Sequence, residues 1–260
     1  MKVVILCGGQ GTRIRDVSDN LPKPMIPVGG LPILWHIMKY YATWGHKDFV
    51  LCLGYMGKSI KDFFLNYEQN TRDFSLVLGG AKSIEYHTEH KEADWRVTLA
   101  ETGLDALTGA RIKRIRKYIG DDENFMLTYG DGVGDINIDE LLKFHQAHGK
   151  ILTVTGVRPP GRFGELMHAP DGQVTEFNEK PQATGGRISG GYFVCRRDIF
   201  DYLDDREDLT FETDPMRKLV ADGQMMVFEH DGFWQPMDTY RDYSYLNNAV
   251  AINKAPWIKW

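Results

Sequence analysis

The sequence predicts an α/β protein with a mostly parallel mixed sheet, helices on both faces of that sheet, and a small antiparallel excursion. Two observations lead to this fold class. Apolar strand-like runs alternate along the chain with amphipathic helix-like segments, and several of the runs end at glycine. Strand–helix–strand alternation favours parallel strands joined by crossover helices, and runs that are apolar throughout are typical of strands buried on both faces.

The predicted elements follow one another in a regular order. The strand-like runs are KVVILCGG (2–9), DFVLCLG (48–54), NFMLTYGDG (124–132) and KILTVTGV (150–157). The helix-like segments between them are LPILWHIMKYYATWG (31–45), GKSIKDFFLNYEQN (57–70) and INIDELLKFHQAHG (136–149). Their apolar residues recur at helical spacing, and two of these segments end at glycine.

Two stretches interrupt this alternation. Residues 74–102 contain strand-like segments without helices between them, which predicts an antiparallel insertion. Residues 174–196 also have the pattern of strands, and 239–260 is expected to form a carboxyl-terminal helix and tail. Since no internal repeat or long linker divides the chain, we expect residues 1–260 to form a single domain.

Composition and charge exclude several classes of function. The 31 Lys and Arg against 36 Asp and Glu give a net charge of 31 − 36 = −5, which argues against a wide nucleic-acid surface. Cys7, Cys52 and Cys195 lie far apart in apolar runs, which predicts buried free thiols in a reducing compartment. With no membrane span and no signal-peptide pattern, we expect a cytoplasmic protein that binds neither nucleic acid nor membrane.

A glycine-rich loop, CGGQGTR (7–13), directly follows the first strand-like run. Glycine lets the backbone approach a ligand closely with its N–H groups turned inward, so this loop suits a phosphate, a nucleotide base or only a tight turn. It is not a Walker A loop, because Thr12 and Arg13 follow its last glycine. It is not a dinucleotide fingerprint either, because Ile14 stands where the third glycine is required.

Lys23 lies between Pro22 and Pro24, which restrict the backbone on both sides of it. A lysine on a stiffened loop holds its charge at a fixed point, although a surface lysine in a proline-rich connection would have the same pattern. Together with Arg13 and the amides of the glycine loop, Lys23 forms a combination that suits a polyphosphate better than a singly charged ligand.

Asp131 follows an apolar strand and is flanked by glycines, so we expect it at the carboxyl edge of the sheet, where α/β proteins bind ligands. A carboxylate beside a phosphate site commonly coordinates Mg²⁺, whereas the alternative is an Asp-Gly turn. A second carboxylate, Asp238, follows the aromatic segment FWQPM. We predict that the two aspartates form a magnesium site.

In this order, the motifs resemble the sugar-phosphate nucleotidyltransferase family (nucleotide-sugar pyrophosphorylases) over most of the chain. The combination is specific, whereas NEKP or GDG alone would be a weak signal. The segments that carry the resemblance are GGQGTR (8–13), PKPMIPVGG (22–30), YGDG (129–132), FNEKP (177–181), GGYFV (190–194) and PMDT (236–239). The resemblance implies the Rossmann-like nucleotide-diphospho-sugar transferase fold, in agreement with the predicted α/β architecture.

The resemblance also implies a reaction. An oxygen of a sugar 1-phosphate attacks the α-phosphorus of a nucleoside triphosphate, and pyrophosphate leaves. By this analogy, Arg13 would neutralise the β- and γ-phosphates, and Lys23 would bridge the α-phosphate and the sugar phosphate. Asp131 and Asp238 would hold Mg²⁺ between them.

Further contacts are carried over from the same resemblance. Glu179 and Lys180 would meet the sugar hydroxyls and the sugar phosphate, and Gly191 would allow close approach, although NEKP could instead be a polar strand end. The other nucleotide contacts that the resemblance implies lie in and before the glycine loop and comprise Leu6, Gly8, Gly9, Gly11 and Thr12.

Within the family, the likeness is greatest to the branch that uses CTP. It is carried by the segments TGARIKRIRKYI (108–119), PPGRFGEL (159–166) and GFWQPMDTYRD (232–242). Arg111 would contact the base or the triphosphate. Alternatively, Arg111 belongs to a basic helix face, because Ile112, Ile115 and Ile119 have the spacing of its inner side.

Three functions remain open on the sequence. The first is synthesis of CDP-glucose from CTP and glucose 1-phosphate. The second is the same chemistry with UTP, dTTP or another phosphorylated acceptor, and the third is a non-catalytic nucleotide-sugar sensor. Arg13, Lys23, Asp131 and Asp238 speak against the sensor, because binding alone would not require all four. The resemblance further suggests a homo-oligomer, with the 74–102 strands or the tail APWIKW as contact surfaces.

Overall fold

The computed structural model describes residues 1–9, 20–79, 83–159, 165–178 and 186–260. Its strands are β1 (Lys2–Leu6), β2 (Pro27–Val28), β3 (Leu31–Pro32), β4 (Asp48–Leu53), β5 (Phe74–Leu76), β6 (Ile84–Tyr86), β7 (Arg96–Glu101), β8 (Asn124–Tyr129), β9 (Gly132–Gly134), β10 (Leu152–Val157), β11 (Glu165–His168), β12 (Val174–Asn178), β13 (Ile188–Arg196), β14 (Met225–His230) and β15 (Trp234–Pro236). Its α-helices are α1 (Ile33–Thr43), α2 (Gly57–Leu65), α3 (Tyr67–Thr71), α4 (Thr108–Arg114), α5 (Arg116–Ile119), α6 (Ile138–His148), α7 (Asp214–Ala221) and α8 (Tyr240–Ala251).

A central sheet of seven strands organises the described chain, in the order β14-β10-β13-β8-β1-β4-β7. Strand β13 runs antiparallel to both of its neighbours, β10 and β8. The other neighbouring pairs in this sheet are parallel. The prediction of a mostly parallel mixed sheet is therefore confirmed.

Both faces of the sheet are covered by helices. Val3 and Ile5 of β1 belong to one apolar cluster, which includes residues of α1, α6 and α8. Val4 and Leu6 point the other way, into a second cluster that contains residues of α4, α5 and α7. Because successive side chains of a strand alternate between faces, burial of all four explains why the run is apolar throughout and confirms helices on both faces.

The antiparallel excursion is smaller than predicted. Strands β5 and β6 do pair antiparallel in a separate two-stranded sheet. Strand β7, however, forms the edge of the central sheet and lies parallel to β4, so the prediction that the excursion extends to residue 102 is wrong. The physical reason is that α2 and α3 supply the crossover from β4 to β7, and the local strand pattern does not reveal the pairing partner.

The carboxyl ends of four parallel strands meet at one edge of the sheet. Leu6 of β1 pairs in register with Cys52 of β4 and with Tyr129 of β8, and β7 lies next to β4 and ends opposite it. The chain passes from β1 outward to β4 and β7, and then returns to place β8 on the other side of β1. Such a reversal of strand order opens a crevice at the carboxyl edge, where ligands bind in α/β sheets.

The three cysteines are free and buried, as predicted. Burial raises the pKa of the Cys52 thiol to about 12, so the thiol is uncharged near neutral pH and is a poor nucleophile. None of the helices in the described ranges combines the length and the apolar character needed to cross a membrane.

Candidate active site

A cavity of about 510 Å³ opens at this carboxyl edge. The ends of β1 and β8 line it, as do residues 104–108, which follow β7 and reach the start of α4. Lys23 and Asp238 also line it. Small-molecule sites have volumes of roughly 300–1,000 Å³, so the cavity is large enough for a nucleotide.

Lys23, Asp131 and Asp238 form an ion triad in this cavity. The Nζ of Lys23 lies 2.7 Å from Oδ2 of Asp131 and 2.6 Å from Oδ1 of Asp238. The Lys23 side chain is only 12% exposed, whereas the aspartates are 34% and 33% exposed. The structure thus brings three sequence-predicted side chains to one point, although two of them are separated by 215 positions in the chain.

Each member of the ion triad is placed by a defined element. Lys23 begins the 3₁₀ turn Lys23–Met25, immediately after the extended residue Pro22. Asp131 lies just beyond β8, and its carbonyl accepts a hydrogen bond of 2.8 Å from the N–H of Met237. Because β15 pairs antiparallel with β9, the segment that carries Asp238 returns to the end of β8.

A capping box at the start of α8 supports Asp238. Oδ2 of Asp242 accepts hydrogen bonds from the N–H groups of Asp238, at 3.1 Å, and Thr239, at 2.9 Å. The Thr239 hydroxyl in turn accepts from the N–H of Asp242. This Thr-x-x-Asp spacing is a helix-start signal in the sequence, so Asp242 is a supporting residue that could have been found from the motif but was missed.

The two carboxylates keep the Lys23 ammonium charged. Burial by itself lowers the pKa of Lys23, but hydrogen bonds and charge attraction from Asp131 and Asp238 outweigh it and raise the pKa above the ordinary value. A lysine with a raised pKa stays protonated at neutral and mildly alkaline pH. The ion triad therefore fixes one positive charge at this end of the cavity.

The two carboxylates also fit a metal ion that arrives with a phosphate ligand. In the described part of the chain, no group of three or more His, Cys, Asp or Glu side chains is arranged to hold a metal. Asp131 and Asp238 do approach a single ammonium nitrogen to within 2.7 Å, so they can share a small cation. Mg²⁺ commonly takes one or two carboxylates and completes its shell with substrate phosphates and water.

The glycine loop is packed against a buried arginine. Gly8 and Gly9 line the cavity after β1. A Cβ on Gly8 would lie 2.2 Å from Cζ of Arg111, so only glycine fits here. Leu6 also lines the cavity, and its carbonyl accepts from the N–H of Gly130 at 3.0 Å. The first turn of the predicted phosphate loop is thus fixed by its neighbours on both sides.

Arg111 lines the cavity, but its guanidinium is hydrogen-bonded to other groups of the protein. It is only 4% exposed, so the alternative that places it on a solvated helix face is wrong. Its two terminal nitrogens donate hydrogen bonds of 2.8–3.3 Å to the Thr102 hydroxyl and to the carbonyls of Gly8, Leu53, Gly103 and Leu104. A contact with a nucleotide would have to compete with these bonds. We therefore infer that Arg111 positions the ends of β1, β4 and β7 beneath the glycine loop.

Replacing Arg111 with methionine is expected to lower the free energy of unfolding by about 3 kcal/mol or more, because several buried carbonyls lose their hydrogen-bond donor at once. Urea unfolding measures this loss. Arg116→Met is the matched control, since Arg116 is exposed on the next helix, and it should change the free energy by less than about 0.5 kcal/mol. Equal stability of the two variants would contradict the positioning role.

The predicted sugar contacts are described only at Gly191. This glycine has a φ of +75°, and a Cβ there would lie 2.4 Å from Cδ2 of Tyr129. The structure therefore requires glycine to accommodate the tyrosine ring, and the predicted contact with a sugar stays a prediction. Five predicted site residues lie outside the described ranges, namely Gly11, Thr12, Arg13, Glu179 and Lys180. Their contacts likewise stay predictions.

Two further side chains of the cavity, Tyr129 and Thr108, were missed by sequence reasoning. Both donate hydrogen bonds to the carboxylate of Glu212, which lies 83 positions from Tyr129 and 104 positions from Thr108. Neither residue belongs to a local pattern that indicates this contact. Only the folded chain brings them together.

Known proteins are similar to this chain in sequence and in fold. A family model described as nucleotidyl transferase matches residues 2–252. The glucose-1-phosphate cytidylyltransferase of Salmonella typhi is 47% identical over 261 residues, which cover 100% of each chain. The probable glucose-1-phosphate cytidylyltransferase of Bacillus subtilis is 42% identical over 260 residues, again covering 100% of each.

A solved structure gives the same fold. HddC from Yersinia pseudotuberculosis superposes with a TM-score of 0.68 at 23% identity, covering 96% of this chain and 99% of HddC. At this identity the likeness concerns the fold alone. The family model and the full-length relatives go further, and they show that the chain belongs to the nucleotidyl transferase family.

Proposed function

We propose that this protein is a glucose-1-phosphate cytidylyltransferase, which converts CTP and glucose 1-phosphate to CDP-glucose and pyrophosphate. The observation that carries the proposal is the 47% identity, over the whole chain, to curated enzymes of that name. The cavity with its ion triad supports it, because a fixed cation and a carboxylate pair suit a triphosphate and its metal ion.

The ion triad supplies the electrostatics that nucleotidyl transfer needs. In phosphoryl-transfer chemistry negative charge is redistributed over phosphoryl oxygens, so catalysis depends mainly on positioning and on fixed positive charge. Lys23 holds the α-phosphate and the sugar phosphate, two anions that repel each other, in line for attack. Arg13 neutralises the pyrophosphate as it separates, and Glu179 and Lys180 hold the sugar.

Asp131 and Asp238 hold Mg²⁺ in this proposal. When bound, Mg²⁺ supplies charge neutralisation at the phosphate oxygens. The Lys23 ammonium lies within 2.7 Å of both carboxylates, so it would stand beside an ion that they held, with its charge close to the same phosphates.

Selection of cytosine is assigned to the backbone of residues 6–11. Cytosine and uracil differ at position 4, where cytosine has an amino donor and uracil a carbonyl acceptor. A backbone carbonyl aimed at that position would accept from cytosine and repel uracil. The Gly8 carbonyl is held at 3.1 Å by Arg111 and at 3.3 Å by the N–H of Tyr55, so this part of the loop has the rigidity that such discrimination requires.

The proposal is tested by measuring pyrophosphate release with CTP, UTP and dTTP, each combined with glucose 1-phosphate and with other sugar phosphates. We expect kcat/KM for CTP to exceed that for UTP by about 10²-fold or more, because a mismatched buried hydrogen bond discriminates strongly. Equal values for CTP and UTP would contradict the cytidylyl assignment. Binding of nucleotides without pyrophosphate release would instead support the non-catalytic sensor.

We also propose that the chain forms a homo-oligomer and acts in the cytoplasm. The β5–β6 hairpin and the residues beside it expose large apolar side chains, between 38% and 84% accessible, at Phe74, Leu76, Val77, Leu78 and Ile84. Exposed apolar surface of this kind often marks a protein interface. Light scattering of the purified chain measures its molar mass, and a strict monomer would contradict the oligomer.

A further inference from the structure

Glu212 lies on a segment that is fastened to the start of α4. The neighbouring Phe211 is fully buried, and its N–H donates to the Thr108 hydroxyl at 2.9 Å. The carbonyl of Leu209 accepts from the N–H of Gly109 at 2.9 Å. Glu212 itself is exposed, but the backbone just before it is fixed against the start of α4.

Each oxygen of the Glu212 carboxylate accepts a hydrogen bond from a different element that lines the cavity. Oε1 accepts from the Tyr129 hydroxyl, at the end of β8. Oε2 accepts from the Thr108 hydroxyl at 2.6 Å, at the start of α4. Tyr129 and Thr108 both line the cavity, so one carboxylate joins the end of β8 to the start of α4 at this cavity.

Tyr129 connects this carboxylate to the reacting end of the cavity. It lies two positions before Asp131 and pairs in register with Leu6 of β1. Its ring packs against Gly191, at a position where no side chain fits, and against the edge of Phe193 with centroids 5.8 Å apart.

We propose that Glu212 is a positioning residue for the transfer reaction, which holds the end of β8, at Tyr129, and the start of α4, at Thr108, at a fixed separation. The inference rests on the proposed function only in that a reaction takes place in this cavity. A misplacement of about 1 Å can slow an enzyme about 10²-fold. Loss of Glu212 should therefore lower kcat more than it raises KM.

The test is a double-mutant cycle with Glu212→Ala and Tyr129→Phe, measured with the triphosphate and sugar phosphate that the unmodified protein converts fastest. The test can therefore be carried out even if the preferred triphosphate is not CTP. Each single variant is expected to lower kcat about tenfold with KM changed less than about threefold. The double variant should be no slower than the slower single variant, since both remove the same link.

Two further variants distinguish positioning from other roles. Glu212→Gln keeps the shape and can re-form both hydrogen bonds, so it should recover kcat to within about threefold. Glu207→Ala is the matched control, because this exposed glutamate on the same segment pairs with Arg114 instead. Unchanged kcat in Glu212→Ala, losses that multiply in the double variant, or a Glu212→Gln enzyme as slow as Glu212→Ala would each overturn the proposal.

Discussion

Replacing Lys23 with alanine is expected to lower kcat by at least about 10²-fold while the protein remains folded. A preorganised cation beside a transferring phosphoryl group contributes about 3 kcal/mol or more, and each 1.4 kcal/mol or so is a factor of ten in rate. The Tm should change little, because the two aspartates left behind are about one-third exposed and water screens their repulsion. Steady-state kinetics and thermal unfolding measure the two quantities.

Lys47→Ala is the matched control for this variant. Lys47 also pairs with an aspartate, Asp94, at 2.5 Å, but both side chains are exposed and lie outside the cavity. Its loss should leave kcat unchanged. Near-normal turnover of Lys23→Ala would rule out the role assigned to Lys23, and a loss of equal size in both variants would show that removal of any paired lysine slows the enzyme.

Asp131→Asn and Asp238→Asn are each expected to lower the Mg²⁺-dependent kcat/KM by at least about 10²-fold. Each change removes one of the two negative charges that face the Lys23 ammonium and that fit a metal ion, and charge stabilisation at such sites amounts to several kcal/mol. Binding of Mn²⁺ in the presence of CTP, followed by electron paramagnetic resonance, gives a readout that does not depend on turnover. The affinity for Mn²⁺ should fall in both variants.

Asp122→Asn serves as the control for the aspartate variants. Asp122 accepts from Lys2 at 2.8 Å and is 39% exposed, close to the exposure of the cavity aspartates, but it does not line the cavity. The Asp122→Asn variant should keep both its turnover and its Mn²⁺ affinity unchanged. Undiminished Mn²⁺ affinity in Asp131→Asn and Asp238→Asn would end the metal assignment.

Most of the central sheet could be predicted because each strand carries its own local signal. The runs that form β1, β4 and β8 are mostly apolar after their first residue, since both faces are buried, and glycine follows each run within two residues. The choice of neighbouring strand carries no such local sequence signal. The direction of strand β7 depends on the α2–α3 crossover, which is a property of the whole connection, so its local pattern wrongly predicts a place in the antiparallel excursion.

Some residues of the candidate site likewise carry a local sequence signal, and others do not. Lys23 and Asp131 could be proposed from proline and glycine neighbours, because those residues determine where the chain stiffens and turns. The alternatives for Arg111 could not be decided from helical spacing, since its acceptors come from three different strand ends. Glu212 could not be found at all, because it meets Tyr129 only after the 129–212 stretch has folded.

The proposed attack of the sugar phosphate on the α-phosphorus can be tested by isotopic labelling of the oxygen atoms. The purified protein is incubated with CTP, Mg²⁺ and glucose 1-phosphate whose non-bridging phosphate oxygens are ¹⁸O, and the products are analysed by ³¹P NMR. Attack of the sugar phosphate on the α-phosphorus predicts CDP-glucose with ¹⁸O in the bridge between its two phosphorus atoms, together with unlabelled pyrophosphate. An unlabelled bridge, labelled inorganic phosphate, or no CDP-glucose at all would contradict it.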